Sequence, residues 1–125
     1  MRSAYVHRAR LAMTRDGDDR AAGAAVTVAL CGHWDHEGPC RVPHRTAVAN
    51  RDEDHVEVRV LFACEPVDAD GVRLAVATAL DAGELPVPPP ESAPPTRWHV
   101  VDQGPGVLLD AERPVAERFV AYPEA

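Results

Sequence analysis

Residues 3–13 alternate: Tyr5, His7, Ala9, Leu11 and Met13 fall on one side and Val6, Arg8 and Arg10 on the other. A period of two is what a strand with one buried face requires, so this segment is expected to be a strand. The cluster 15–19, Arg-Asp-Gly-Asp-Asp, then reads as a turn whose aspartates can accept from the first amides of a following helix. That helix is expected over 21–30, where Ala22, Ala25, Val26, Ala29 and Leu30 recur at helical spacing and Gly32 supplies a stop. Gly23 inside it is a cost of about 1 kcal/mol against alanine.

A short strand over 44–50 is followed by the polar turn Asn50–Asp54. His55–Cys64 then alternates Val56, Val58 and Val60 against Glu57 and Arg59, as the second arm of a hairpin would. Asp68 or Asp70 opens a second helix whose apolar side is Val72, Leu74, Ala75, Val76, Ala79 and Leu80, with Gly83 as its stop. Six prolines between Pro86 and Pro95 exclude regular structure there. Trp98–Val101 resumes as a strand, Gly104-Pro105-Gly106 reads as a turn, and Arg113–Tyr122 as a last helix with Pro114 in its first turn. The order is β-α-β-β-α-β plus one helix. It predicts an α+β protein of the ferredoxin-like kind: an antiparallel sheet with the two main helices on one face, a C-terminal helix, and a Pro-rich insert over 84–96 before the last strand.

The whole chain, 1–125, is one domain by length. Its 13 basic residues are all arginine, against 20 acidic ones, for a formal charge of −7. Phosphate neutralisation needs clustered cations, so nucleic acid is not expected as a partner. No apolar run approaches the ~20 residues that span a bilayer, and the arginines near the N-terminus are interleaved with apolar residues, unlike a secretory leader. A cytoplasmic location follows, in which three cysteines would be thiols or metal ligands.

The position of those cysteines changes the picture. Cys31-Gly-His33-Trp-Asp-His36-Glu-Gly-Pro-Cys40-Arg-Val-Pro-His44 holds five of the chain's nine cysteines and histidines in 14 positions. Zinc takes four nitrogen or sulfur donors in a tetrahedron, and a loop broken by Gly32, Gly38, Pro39 and Pro43 can fold back to bring such donors together. Five candidates compete for four places: Cys31, His36, Cys40 and His44 form the preferred set, with His33 as competitor to His36. Two other readings stand beside it: a bland one, with His33 and His36 as solvated loop residues, Cys31 a buried helix-end thiol and Cys40 packed under Trp34, and a reactive or disulfide-forming pair Cys31/Cys40. Elsewhere His7 and His99 read as core or edge histidines, Cys64 as a small core residue, and 102–106 as a plain turn.

Short pieces of the chain resemble the 6-pyruvoyl-tetrahydropterin synthase family, zinc lyases of pteridine metabolism: Ser3-Ala-Tyr-Val-His7-Arg, Cys40-Arg-Val-Pro-His44 and Pro114-Val-Ala-Glu117. The resemblance implies zinc on His7 and His44 and a catalytic thiol at Cys40. Thr46 stands where that family has its second His of a His-x-His pair, so the triad is incomplete and the chain is not assigned to the family.

The function expected from the residues is a zinc-stabilised binding or regulatory module, the 31–44 loop being a closed structural site. Two alternatives use the same chain differently. One is a hydrolase or lyase with an open zinc site and Asp35 or Glu37 as base. The other is a metal-free dimeric small-molecule binder with an apolar pocket near Phe62 and Trp98. An exposed edge strand in so small a sheet is a liability, which makes a homodimer through that edge the expected partner.

Overall fold

The computed structural model describes residues 1–31, 42–85 and 96–121. Four strands form one antiparallel sheet: β1 (Ser3–Met13), β2 (His44–Ala49), β3 (His55–Cys64) and β4 (Trp98–Gly106), in the order β2-β3-β1-β4. Helix α1 (Ala21–Cys31) joins β1 to the β2 side, α2 (Ala69–Asp81) joins β3 to β4, and α3 (Arg113–Val120) ends the fold. The protein is therefore α+β.

Period-two alternation decides which side chains each layer receives. Register pairs His7 with Val60, Ala9 with Val58 and Leu11 with Val56, so the even-numbered valines of β3 and the odd positions of β1 share one face. Those residues, with Phe62, Met13 and Trp98, pack against Ala22, Ala25 and Val26 of α1 and Val72, Val76 and Leu80 of α2. The opposite face carries a second, smaller core of Val6, Leu61 and Ala116, flanked by Val115 and Phe119 of α3. The two main helices thus share a face and the C-terminal helix takes the other.

Two glycines answer to this packing. A Cβ on Gly23 would lie 3.1 Å from Thr46 Cβ, so the residue that weakens α1 locally is what lets the helix approach β2. Gly83 ends α2 at φ +73°, in the left-handed region that favours glycine, and its carbonyl accepts from Trp98 N at 2.9 Å. A bridge between Glu84 and Arg97, with an ion pair at 3.4 Å, brings together the two ends of the Pro-rich insert; residues 86–95 lie outside the described ones.

One expectation fails. Gly104-Pro105-Gly106 is not a turn but the last third of β4, paired through Val6–Gly106, His7–Pro105 and Arg8–Gly104. Proline cannot donate to a ladder, yet β4 is an edge strand, and an edge has a side where no donor is needed.

Candidate functional site

Of the five expected metal ligands, Cys31 and His44 are described; His33, His36 and Cys40 lie outside the described residues. Cys31 closes α1 and His44 opens β2. Thr27 stands one turn before Cys31 on the same helix face, since residues four apart are neighbours there. Its Oγ1 lies 3.0 Å from His44 Nε2. The two ends of the Cys/His loop are thus held on adjoining elements.

One ring nitrogen of His44 has an assigned proton. A carbonyl can only accept, so the 2.9 Å contact of Nδ1 with Val42 O is an Nδ1–H donation, and in the neutral ring Nε2 then carries the lone pair toward the Thr27 hydroxyl. A backbone carbonyl on one ring nitrogen is the usual way of orienting a histidine that ligates through the other. Cys31 is disulfide-bonded, while Cys64 is a free, buried cysteine. In the disulfide form Cys31 has no thiolate to offer zinc. Among the described residues no three His, Cys, Asp or Glu side chains converge as a metal-binding group.

Beside this junction a cleft of about 320 Å³ lies between α1 and β2, lined by Arg20, Gly23, Thr27, His44, Arg45 and Thr46 among others. Thr46 Oγ1 is buried and has no hydrogen-bond partner among the described residues. A second depression of about 470 Å³ runs between the outer sides of α1 and α2, almost wholly apolar, past Ala25, Val28, Ala29, Leu74 and Ala75.

His7 does not join His44. It lies 5% exposed in the sheet, paired with Val60, whereas His44 pairs with Phe62, which in turn pairs with Tyr5. A hydrogen-bond chain fixes its ring. Gln103 Nε2 must donate to the Asp81 carboxylate at 2.9 Å, so Gln103 Oε1 accepts from His7 Nε2–H at 2.8 Å. That leaves His7 Nδ1 as a buried acceptor with no partner among the described residues. Burial is the main cause that holds the His7 pKa below its ordinary value, opposed by the Gln103 bond and assisted by the Arg73 and Arg8 charges. The expected core histidine is there, half satisfied; its partner Gln103, 96 positions away, has no signal in the sequence. His99 is exposed. Desolvation pushes the Cys64 thiol up, away from a nucleophile's range. Phe62 and Trp98 are core residues, 0% and 6% exposed, with the indole N–H donated to Leu80 O at 2.8 Å.

Comparison of the chain with protein-family models, with curated proteins and with solved structures gave no match. No helix among the described residues is long and apolar enough to cross a membrane.

Proposed function

We propose that the α1–β2 crossover is a thiol-dependent zinc site and that the protein is a small ferredoxin-like binding or regulatory module fastened by it, with no turnover of its own. The observation that carries this reading is the tautomer and place of His44: Nδ1–H is tied to Val42 O, and Nε2 is presented to the helix face that ends in Cys31. The remaining donors of the set are Cys40 and either His36 or His33. Two thiolates would neutralise the metal and blunt its acidity, which suits a structural role. The ferredoxin-like assignment is supported by the β-α-β-β-α-β order and by antiparallel pairing in the order β2-β3-β1-β4.

The disulfide at Cys31 enters as the oxidised form of the same site. Zinc needs the thiolate, so metal loading requires reduction and belongs to a reducing compartment such as the cytoplasm. The same disulfide favours a second reading, in which the cysteine is a redox or structural crosslink and no metal is involved.

Protein purified under reducing conditions without added metal separates the two. The zinc reading expects about one zinc per chain by elemental analysis, lost in Cys31→Ser and His44→Ala, and a melting temperature that falls on strong chelation. Thiols that are reduced and titratable, with no transition metal bound and melting indifferent to chelation, would overturn it. A melting temperature that drops on reduction alone, in the absence of metal, is the result expected from the crosslink.

A further inference from the structure

We infer that β2 is a self-association edge: its outer side pairs antiparallel with the same strand of a second copy, joining two four-stranded sheets into one, with Arg45 of each copy set against Glu57 of the other. The inference rests on the sheet alone and stands apart from the zinc reading.

The sheet has two edges, and among the described residues only one is protected. On β4 the start is covered by Gly83 O accepting from Trp98 N and by the Glu84–Arg97 bridge; the strand then has an irregular register opposite Arg10/Leu11, an Asp102 carboxylate and Pro105. Bulges, charges and proline are devices that stop an edge from pairing further. β2 has neither a bulge nor a proline, and its one fixed charge, Arg45, lies on the α3 side of the sheet. Its sequence is His-Arg-Thr-Ala-Val-Ala, with no proline, no acidic residue and regular pairing to β3 over all six positions.

The outward amides can be assigned. Ala63 N donates to Pro43 O at 3.1 Å, so Pro43, and with it Arg45, Ala47 and Ala49, turn their backbone groups toward β3. His44, Thr46 and Val48 therefore direct N–H and C=O away from the sheet. Residues opposite each other in an antiparallel pair point to the same face, so the two-fold axis must lie between two copies of one residue, the residue at the axis. With the axis at Thr46, Arg45 falls opposite Ala47 of the second copy, in line with Arg59. With the axis at Ala47, Arg45 falls opposite Ala49 of the second copy, in line with Glu57, because Ala49 pairs with Glu57.

The second register is the complementary one. Arg45 and Glu57 are both exposed and lie on the α3 side of the sheet. Strands are ~4.8 Å apart, so the two Cα atoms would stand ~10 Å apart with only the small Ala49 between them, within reach of an arginine and a glutamate. In this register Thr46 and Val48 of opposite copies exchange the outward amide hydrogen bonds. The short edge and the −7 charge on each chain make the association weak, with Kd expected in the micromolar range.

Sedimentation from about 1 μM to about 1 mM should show a reversible monomer–dimer equilibrium. Val48→Pro removes an outward donor while sparing the β2–β3 ladder, and should raise Kd at least about tenfold. Arg45→Glu, an exposed change that leaves folding intact by circular dichroism, should weaken the dimer similarly, and Arg45→Glu/Glu57→Arg should restore it to within about threefold. A chain that stays monomeric throughout overturns the inference. So does a dimer that ignores Val48→Pro and is broken by Leu74→Asp, which would place the contact on the α1/α2 groove, and so does a double reversal that fails to restore.

Discussion

The two faces of the sheet are closed by different means. Under α1 and α2 the contact is mainly apolar, with Leu11, Val56, Val60, Phe62, Val26, Val76 and Leu80 each 0% exposed, and polar contacts such as Arg73 Nη1 to Val6 O and Gln103 Nε2 to the Asp81 carboxylate add to it. Under α3 the buried apolar cluster among the described residues is small, Val6, Leu61 and Ala116, and a large part of the closure is polar. Arg59 grips Glu112 through two bonds, Nε to Oε2 at 3.1 Å and Nη2 to Oε1 at 2.8 Å, and also donates from Nη2 to Val107 O at 2.7 Å. Glu112 Oε1 in turn accepts from Leu109 N at the turn that leads into α3. One eight-residue helix covers too little apolar surface to dock by burial alone, and a fork-to-fork ion pair adds direction as well as energy. The two longer helices make polar contacts as well, but over a much larger buried apolar surface.

Substitutions should separate the two modes. Phe62→Ala, in the larger core, is expected to cost about 3–5 kcal/mol by urea denaturation, since it removes a wholly buried ring and leaves a cavity. Leu61→Ala, its neighbour on the other face, should cost less, about 2 kcal/mol, because α3 can settle into the space. If Leu61→Ala proves the worse, the faces are not unequal in the way described.

Glu112→Gln should cost about 1 kcal/mol and release α3 before the rest, seen as faster hydrogen exchange over 113–120 with the sheet unchanged. Uniform loss of protection would mean that α3 is not a separable unit. Acid sharpens the same contrast through two groups. Glu112 is held below the ordinary carboxylate value chiefly by its Arg59 bonds, so the stability it contributes is present above that value and is lost as pH falls through the lowered one. His7 is lowered by burial, so the folded state takes up its proton less readily than the unfolded chain, and stability falls as pH drops below about 6.5. Between pH 7 and 5 the urea midpoint should therefore decline, and His7→Gln should flatten that decline; an unchanged slope would remove His7 from the account. The smallest effect belongs to the exposed Arg113–Asp110 pair at 3.0 Å, where Asp110→Asn should change stability by less than about 0.5 kcal/mol.

Much of the larger face was legible in the chain. The valines of β3 and the odd positions of β1 announced their buried side by alternation alone, and α2 announced its own by helical spacing. The other face was not. Arg59 reads as the wet side of a hairpin, and its partner Glu112 is 53 positions away. The Cys/His cluster was legible as a concentration of donors, and Cys31 and His44 do come to adjoining elements. That the His44 ring would be held by Val42 O and Thr27, and that Cys31 would be disulfide-bonded, had no marker that singled them out among the readings open.

By itself the sequence determined most of the elements and the buried side of β1, β3 and α2, because periodicity and composition are local properties of the chain. Tertiary structure decided what pairing decides. It set Gln103 against His7, allowed Pro105 to lie in an edge strand, gave Gly23 the reason of a close approach by Thr46, and sent α3 to the far face. Each of these depends on which distant segments share a register, and a one-residue slip in register would turn every one of those side chains to the opposite side.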